Sequence, residues 1–395
     1  MPLPPFFAYW SPQVDPAAAV VLPLYALALG SAVVLARSSN TLGVASFLVA
    51  VLALALLARL ALTAAREGTD GFYAVFGIRS EAGNEYLPAL PSLDTLSTTA
   101  FLDRFAELSP TLPIHPSAHP PGILLLLSRL GIEQAEAMAA LMIGAGALAV
   151  PLTYALARAV GMEESRCRAA ALLLALSPAA MLYGVTSTDA LFATLAVAAT
   201  CLLVGSGILR RILGALALAV ASFFSWALLA IGAFAAIVVA LREGLRPAVA
   251  LAGGCGIVLL ASYGALYALT GFDPIGAIRA AREAYDLGIS NSRPYLYWLF
   301  GSPVAFAVAL GLPIAWFAAR ALGAGNEVAV ALAAIIVVSV LVGLTKAETE
   351  RIWLFMGPLA AVAAATTVPL GRMPLLLALL ALQALAANLL LFTIW

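Results

Sequence analysis

Long apolar stretches, separated by short connections that contain arginine, occupy most of this chain of 395 residues. A membrane-spanning helix needs about 20 mostly apolar residues, and charged residues, glycine and proline divide the chain into about twelve stretches near that length. The chain is 64% hydrophobic and 10% charged, whereas soluble domains carry roughly a quarter charged residues. These features predict an all-α polytopic membrane protein, with one transmembrane domain over residues 1–395. The predicted spans are 17–36, 41–65, 134–158, 169–185, 189–208, 212–225, 227–241, 248–270, 298–319, 327–345, 352–368 and 374–393.

The distribution of arginine predicts how these spans are oriented. Short connections on one side contain Arg37, Arg158, Arg166, Arg168, Arg210, Arg211, Arg242, Arg246, Arg320 and Arg372. Cytoplasmic connections carry an excess of basic residues, so this side is predicted to be cytoplasmic and the membrane to be the plasma (inner) membrane. Residues 66–122, Asp189, 271–297 and 346–351 then lie together on the extracytoplasmic side.

Charge and cysteine usage exclude several functional classes. The formal net charge is zero, so no basic surface for nucleic acid is predicted. Cys167, Cys201 and Cys255 lack metal-site spacing and are predicted to be small buried residues. The first residues lack a positively charged region, so no cleaved signal peptide is expected.

Residues 66–122 form the one long polar segment, and they contain both histidines and seven acidic residues. Connections of this length are usually functional or disordered, and the aromatic residues and prolines in this one favour a folded structure. Ile123–Leu130 is apolar but too short to span, so a helix at the membrane interface is expected there. We interpret 66–122 as an extracytoplasmic catalytic loop with short interfacial helices.

Two acids of this loop are candidate catalytic residues. Asp70 follows the second predicted span, and the motif Asn84-Glu85-Tyr86 begins fourteen residues later. A carboxylate at a membrane surface can act as a general base toward an acceptor hydroxyl or amine, or can bind a divalent metal with its neighbours. The alternative for each is a solvated loop acid.

His115 and His119 lie four residues apart, but the intervening prolines prevent a regular helix through both. A helical two-histidine metal site is therefore not expected, and His119 with Pro120, Pro121 and Gly122 reads as a rigid turn. Asp189 follows Thr186, Ser187 and Thr188 at a predicted helix start. That cluster is typical of helix capping; the functional alternative is an acid at the membrane rim that faces the loop.

Two further connections supply cations on the same predicted side. In 271–297, Arg279, Arg282, Glu283 and Asp286 recur with helical spacing, which predicts an amphipathic helix on the membrane surface. Arg293 follows it, next to an aromatic run. Lys346 and Arg351 are candidate phosphate ligands, because cations near apolar surroundings bind anions strongly. The alternative is internal ion pairing with Glu348 and Glu350.

The order of these motifs resembles the GT-C superfamily of integral membrane glycosyltransferases over most of the chain. Asn84-Glu85-Tyr86 is similar to the acidic motif of protein O-mannosyltransferases and aminoarabinose transferases, with Asn84 in place of an aspartate. The mannosyltransferases have a motif similar to His119-Pro120-Pro121-Gly122. Ser177 to Asp189 resembles a helix hairpin with an outer acid, and Arg351 with its following aromatic residues resembles a late arginine motif. The chain also resembles a set of actinobacterial membrane proteins, and it departs from the superfamily in placing two spans before the loop.

The resemblance implies hexosyl or pentosyl transfer from a polyprenyl-phosphate sugar to a lipid, glycan or protein acceptor. Glu85 or Asp70 would be catalytic, and Arg351, Lys346 and Arg293 would hold the donor phosphate. Tyr86, His115, His119, Asp189 and Glu348 complete the predicted site. The resemblance specifies no cofactor, and a divalent metal is compatible with the site. The alternatives are a transporter or flippase of a lipid-linked or anionic substrate, and a scaffold for envelope assembly.

Overall fold

The apolar stretches fold into helices, as expected, and the secondary structure is almost entirely helical. The computed structural model describes residues 5–37, 41–77, 86–343 and 345–393. The first helices are α1 Ala18–Arg37, α2 Val44–Glu67, α3 Tyr86–Ala89, α4 Pro91–Asp94, α5 Thr98–Asp103, α6 Phe105–Leu108, α7 Ile114–Ala118, α8 Gly122–Leu130, α9 Ala135–Ala147, α10 Ala149–Ala159, α11 Glu164–Ala175 and α12 Pro178–Thr186. They are followed by α13 Asp189–Leu203, α14 Ile208–Ser222, α15 Ala230–Glu243, α16 Leu245–Thr270, α17 Pro274–Leu287, α18 Tyr295–Leu310, α19 Leu312–Gly323, α20 Glu327–Val342, α21 Thr349–Ile352, α22 Gly357–Thr367 and α23 Met373–Leu390.

Short 3-10 turns connect several of these helices. They are Gly68–Phe72, Ala74–Phe76, Ser109–Thr111, Trp226–Leu229, Ile289–Ser292, Trp353–Met356 and Leu370–Arg372. Two short strands, β1 Ala8–Trp10 and β2 Leu391–Thr393, pair antiparallel and join the two described ends of the chain.

Six helical segments are long and apolar enough to cross a membrane, and two bent helix pairs raise this number to eight. The predicted count of twelve is therefore not confirmed. Proline and glycine explain much of the difference: α11 and α12 bend by 54° at Pro178, and α18 and α19 bend by 117° at Gly311. Two more apolar helices, α13 and α20, have only 15 and 16 residues.

The two ends of α2 mark the two ends of the helical bundle. Near its start, Arg168 of α11 donates a hydrogen bond to the carbonyl of Leu42 at 2.7 Å. At its other end, Arg66 donates to the carbonyls of Ser11 and Asn388, both at 3.0 Å. An arginine of the predicted cytoplasmic set and the start of the long polar segment thus lie at opposite ends of one helix.

The long polar segment folds into short helices, and α17 packs against them. α17 contacts α6, α7 and the 3-10 turn Ser109–Thr111. A helix forms here, as predicted, and Asp273 caps its first turn by accepting a hydrogen bond from the amide of Ile275. Gly271 ends α16 with a φ of 78°. A Cβ there would lie 2.0 Å from a carboxylate oxygen of Asp103, so only glycine allows this approach.

The most buried helices lie behind the site described next. Eight of the nine residues of α12 are buried, as are the first nine residues of α22. Both helices contain alanine and glycine, small residues that let helix backbones approach closely where lipid offers no hydrophobic driving force. The charged residues of the site lie in the segments next to these helices: Asp189 begins α13, shortly after α12, and Arg351 lies in α21, before α22.

Candidate functional site

Arg351 is the centre of a buried charge cluster. It lies in the short helix α21 and is 6% exposed. Its Nη1 donates to Oδ2 of Asp189 at 2.8 Å, and its Nη2 donates to Oε2 of Glu348 at 3.2 Å. Nη2 also lies 3.4 Å from Nε2 of His115. A guanidinium only donates hydrogen bonds, so the His115 nitrogen that faces it must accept.

Glu348 joins Arg351 to a second arginine. Oε1 of Glu348 accepts from Nη2 of Arg293 at 2.6 Å, and Nη1 of Arg293 donates to the carbonyl of Lys346 at the same distance. The guanidinium of Arg293 also lies 5.6 Å from the ring centroid of Phe7. Burial opposes ionisation of Glu348, but the charges of Arg351 and Arg293 hold its pKa below the usual value.

The backbone that presents Glu348 is strained. Ala347 and Glu348 have φ values of 69° and 60°, and they are the non-glycine residues with positive φ in the described chain. The surroundings hold this segment in place: the amide of Lys346 donates to the Tyr285 hydroxyl at 2.8 Å. The hydroxyl of Thr349 donates to the carbonyl of Ser302, also at 2.8 Å. Strain of this kind costs about 1–3 kcal/mol per residue and concentrates at functional sites.

Asp189 is the first residue of α13 and is 4% exposed. Ser187 makes two hydrogen bonds to Asp189: its hydroxyl donates to Oδ2 at 2.6 Å, and its hydroxyl oxygen accepts from the Asp189 amide at 3.0 Å. Thr188, at the helix N-cap position, makes no capping bond through its side chain. The polar cluster around residue 187 therefore positions the carboxylate that binds Arg351.

The two histidines and Tyr86 line the loop side of the charge cluster. The rings of Tyr86 and His115 have centroids 6.5 Å apart, and Tyr86 is buried. The helical structure is interrupted between α7 and α8, at residues 119–121, as the prolines predict. His119 packs on Phe192 with centroids 5.5 Å apart. Burial lowers the pKa of His119 to about 4, although Asp189 acts in the opposite direction.

Glu350 is a site residue that the sequence analysis considered only as an ion-pair partner. Its side chain is completely buried, and it makes no ion pair within the described chain. Oε1 accepts from the amide of Phe7 at 3.1 Å, while Oε2 has no hydrogen-bond partner among the described residues. Burial raises the pKa of Glu350 to about 7. Local sequence carries no signal for this burial, and the hydrogen-bond partner of Glu350, the Phe7 amide, lies 343 residues away in the chain.

The structure does not bring every predicted site residue together. We define the charge cluster as His115, Asp189, Arg293, Glu348, Glu350 and Arg351. Lys346 joins it through its backbone. Asp70 is exposed, and its carboxylate accepts a hydrogen bond from the Tyr73 hydroxyl at 2.8 Å and none from the cluster. Glu85, the other predicted base, lies outside the described residues.

Two further expectations concern ligands. Within the described residues, no three His, Cys, Asp or Glu side chains are arranged to hold a metal ion. Arg351 and Arg293, two of the three predicted phosphate ligands, are both paired with carboxylates. The ion-pairing alternative thus describes the geometry of Arg351 toward Glu348, whereas Glu350 takes no part in it.

No protein-family model matches the chain, and no curated protein is significantly similar to it.

Proposed function

We propose that this protein is a membrane glycosyltransferase that moves a sugar from a polyprenyl-phosphate donor to an acceptor at the extracytoplasmic face. One observation carries the proposal: residues 115, 189 and 351, from three distant parts of the chain, meet at 2.8–3.4 Å. Charges buried at such a junction cost several kcal/mol in desolvation. Such a cost is typical of sites retained for function rather than for stability.

The donor phosphate binds where the Glu348 carboxylate now lies. Glu348 is the bridge between Arg351 and Arg293, and its side chain is 14% exposed, more than either arginine. A phosphate group offers the same charge and acceptor geometry to both guanidinium groups. The backbone at 347–348 is strained, so displacement of this segment together with the Glu348 side chain would release free energy.

Asp189 keeps its ion pair with Arg351 during donor binding and sugar transfer. Its carboxylate lies deeper than Glu348 and is fixed by Ser187, so it orients the guanidinium toward the leaving phosphate. Charge that develops on the phosphate then strengthens bonds already in place, which is the main source of electrostatic catalysis.

The transfer itself breaks one bond and forms another. The acceptor oxygen or nitrogen attacks the anomeric carbon of the sugar, and the bond from that carbon to the phosphate oxygen breaks. The electron pair leaves with the lipid phosphate, and the acceptor proton passes to a carboxylate, for which Glu85 and Asp70 remain the predicted bases.

The positions of the same residues support a transporter or flippase less well than a transferase. Transporters place charged residues near the bilayer midplane, at a binding site between helices. Apart from Arg59, the buried acids and bases described here lie near helix ends: Arg66, Arg168, Asp189, Arg293, Glu350 and Arg351.

Donor cleavage tests the proposal directly. The purified protein is reconstituted in vesicles with a polyprenyl-phosphate sugar, and released polyprenyl phosphate is measured with and without candidate acceptors. The proposal predicts release that saturates with donor. Movement of intact donor across the vesicle membrane without release would instead support the flippase and contradict the transferase.

A further inference from the structure

Residues 6–10, which we call the strap, reach the charge cluster from one side. The amide of Phe7, in the strap, donates to Oε1 of Glu350 at 3.1 Å. The ring centroid of Phe7 lies 5.6 Å from the guanidinium carbon of Arg293. A single residue of the strap therefore contacts both a buried carboxylate of the cluster and one of its two arginines.

Phe7 also covers the strained backbone segment. Its side chain is 8% exposed and packs with Ala347 and Trp298 in a small hydrophobic cluster that is separate from the main core. Ala347 is completely buried, and it precedes Glu348, which bridges the two arginines. Because Phe7 closes over Ala347, the backbone at 347–348 can turn away from the arginines only when Phe7 moves.

The strap is attached to the helical bundle just after residue 10. The carbonyl of Ser11 accepts from Arg66 at 3.0 Å, and the amide of Gln13 donates to the carbonyl of Leu389 at 2.9 Å. Between this attachment and Phe7, the strap is held by the pairing of β1 with β2. A two-stranded sheet is marginally stable by itself, so the part of the strap that carries Phe7 can open while the attachment stays in place.

Two features of the closed arrangement favour opening. The positive φ angles of Ala347 and Glu348 cost free energy, because these residues carry side chains. Oε2 of Glu350 is buried without a hydrogen-bond partner among the described residues, which is also unfavourable. The contacts of Phe7 oppose these two costs, so a closed and an open arrangement of the strap compete.

We propose that the strap is a gate, which keeps the charge cluster closed around Glu348 and opens to admit the phosphate group of a lipid phosphate. Opening moves Phe7 away from Ala347 and Arg293. The backbone at 347–348 is then free to carry Glu348 away, and Arg293 becomes accessible to the phosphate. This inference rests on the proposed function, because it supplies the opening step that donor binding requires.

Hydrogen exchange tests the gate without a ligand. The amides of Lys346 and Arg351 are both hydrogen-bonded in the closed arrangement. Phe7→Ala should raise their exchange rates by about tenfold or more, because an open state populated at roughly 10% or less becomes the main one. Trp10→Ala, which removes a 71% exposed side chain from the same strap, should leave the rates unchanged. Equal rates in the wild-type and Phe7→Ala proteins would overturn the gate.

Binding of polyprenyl phosphate in nanodiscs tests whether the gate controls the phosphate site. The affinity of the Phe7→Ala protein should exceed that of the wild type by about tenfold or more, since the binding-competent state is no longer the minor one. An unchanged or lower affinity would contradict the gate. Absence of binding to every protein would contradict the proposed function, whereas faster exchange in the Phe7→Ala protein would still support the opening of the strap.

A disulfide provides the opposite variant, in case Phe7→Ala does not fold. Ala8 and Thr393 are partners in the β1–β2 pair, and opposed strand residues have Cα atoms about 4.5–5.5 Å apart, a separation that a disulfide spans. With the native cysteines replaced, the double variant Ala8→Cys, Thr393→Cys should bind polyprenyl phosphate about tenfold more weakly when oxidised. Reduction should restore the affinity, and the single variant Ala8→Cys controls for the oxidant. Equal affinity of the oxidised and reduced double variant would contradict the gate.

Discussion

At the scale of single residues, the geometry around Arg351 requires a guanidinium. Two of its nitrogens each donate to a different carboxylate, at 2.8 and 3.2 Å, and an ammonium group does not reproduce this fixed fork of donors. Arg351→Lys should therefore lower transfer by roughly 10²-fold, as for other electrostatic ligands of a developing anion. Arg372→Lys, an exposed change at the other end, should leave it unchanged.

Donor binding separates this role from a structural one. Lipid-phosphate affinity should fall in both Arg351→Lys and Arg351→Ala proteins that remain folded by gel filtration. Unchanged affinity in both would place the phosphate site elsewhere and leave Arg351 as a buried structural ion pair, whose loss costs about 3–5 kcal/mol.

Glu350 makes stability depend on pH. Its pKa is raised from 4.5 to about 7 in the folded protein, so the folded state holds a proton that the unfolded state releases. The free energy of unfolding therefore decreases as pH rises from 4.5 to 7, and the loss reaches about 3 kcal/mol above pH 7. Glu350→Gln should remove this component and raise the unfolding midpoint at pH 8 relative to the wild type.

An exposed acid is the control for this pH effect. Arg104 lowers the pKa of Glu107, so Glu107→Gln should leave the loss of stability between pH 4.5 and 7 in place. The same pH profile in wild-type and Glu350→Gln proteins would mean that Glu350 ionises normally.

Several site residues could be predicted from the sequence by one rule: a polar or charged residue that interrupts an apolar pattern is a candidate site residue. That rule selected Asp189, Arg293, Glu348 and Arg351, which the structure brings together. The rule cannot give their pairing, because the contact between residues 189 and 351 depends on how α12, α13 and α21 pack. It also missed the burial of Glu350, whose hydrogen-bond partner Phe7 lies near the other end of the chain.

At the scale of elements, the turn before α8 depends on a close backbone approach. The amide of Gly122 donates to the carbonyl of Phe223 at 3.0 Å, and a Cβ at Gly122 would lie 2.3 Å from that oxygen. Gly122→Ala must separate the two backbones, at a cost of about 1–3 kcal/mol. The unfolding midpoint should fall, and activity should fall with it because His119 lies in the same turn.

Gly144→Ala is the matched substitution on α9. It has open space for the methyl group and should stabilise the helix slightly, since alanine is the better helix former by up to about 1 kcal/mol. Equal midpoints for the two variants would show that the turn at 119–122 tolerates displacement.

Elements were more predictable in position than in length. Each predicted apolar span contains a helix, because hydrophobic length alone indicates where helices form. Their breaks follow from packing: the bends at Pro178 and Gly311 allow helices to end inside the protein, where neighbouring residues satisfy the backbone. The Ser177 hydroxyl, for example, donates to the Leu310 carbonyl at 2.7 Å.

At the scale of the whole molecule, the arginine distribution predicts which end faces outward. Cys167, Cys201 and Cys255 are buried and can be replaced to give a cysteine-free background. Glu107, on an exposed position of the loop, and Arg246, in the first turn of α16, then serve as labelling sites. An impermeant maleimide should label Glu107→Cys in intact cells and Arg246→Cys only after lysis; the reverse pattern would contradict an extracytoplasmic site.

The central claim is that the charge cluster holds the phosphate of a lipid-linked sugar, and a density map with bound donor tests it most directly. At saturating polyprenyl-phosphate sugar, phosphate density is expected between Arg351 and Arg293, with Glu348 displaced from its bridging position. The Asp189–Arg351 bond should remain at about 2.8 Å. A map in which Glu348 still bridges both arginines, with donor bound elsewhere or absent, would contradict phosphate binding by the charge cluster.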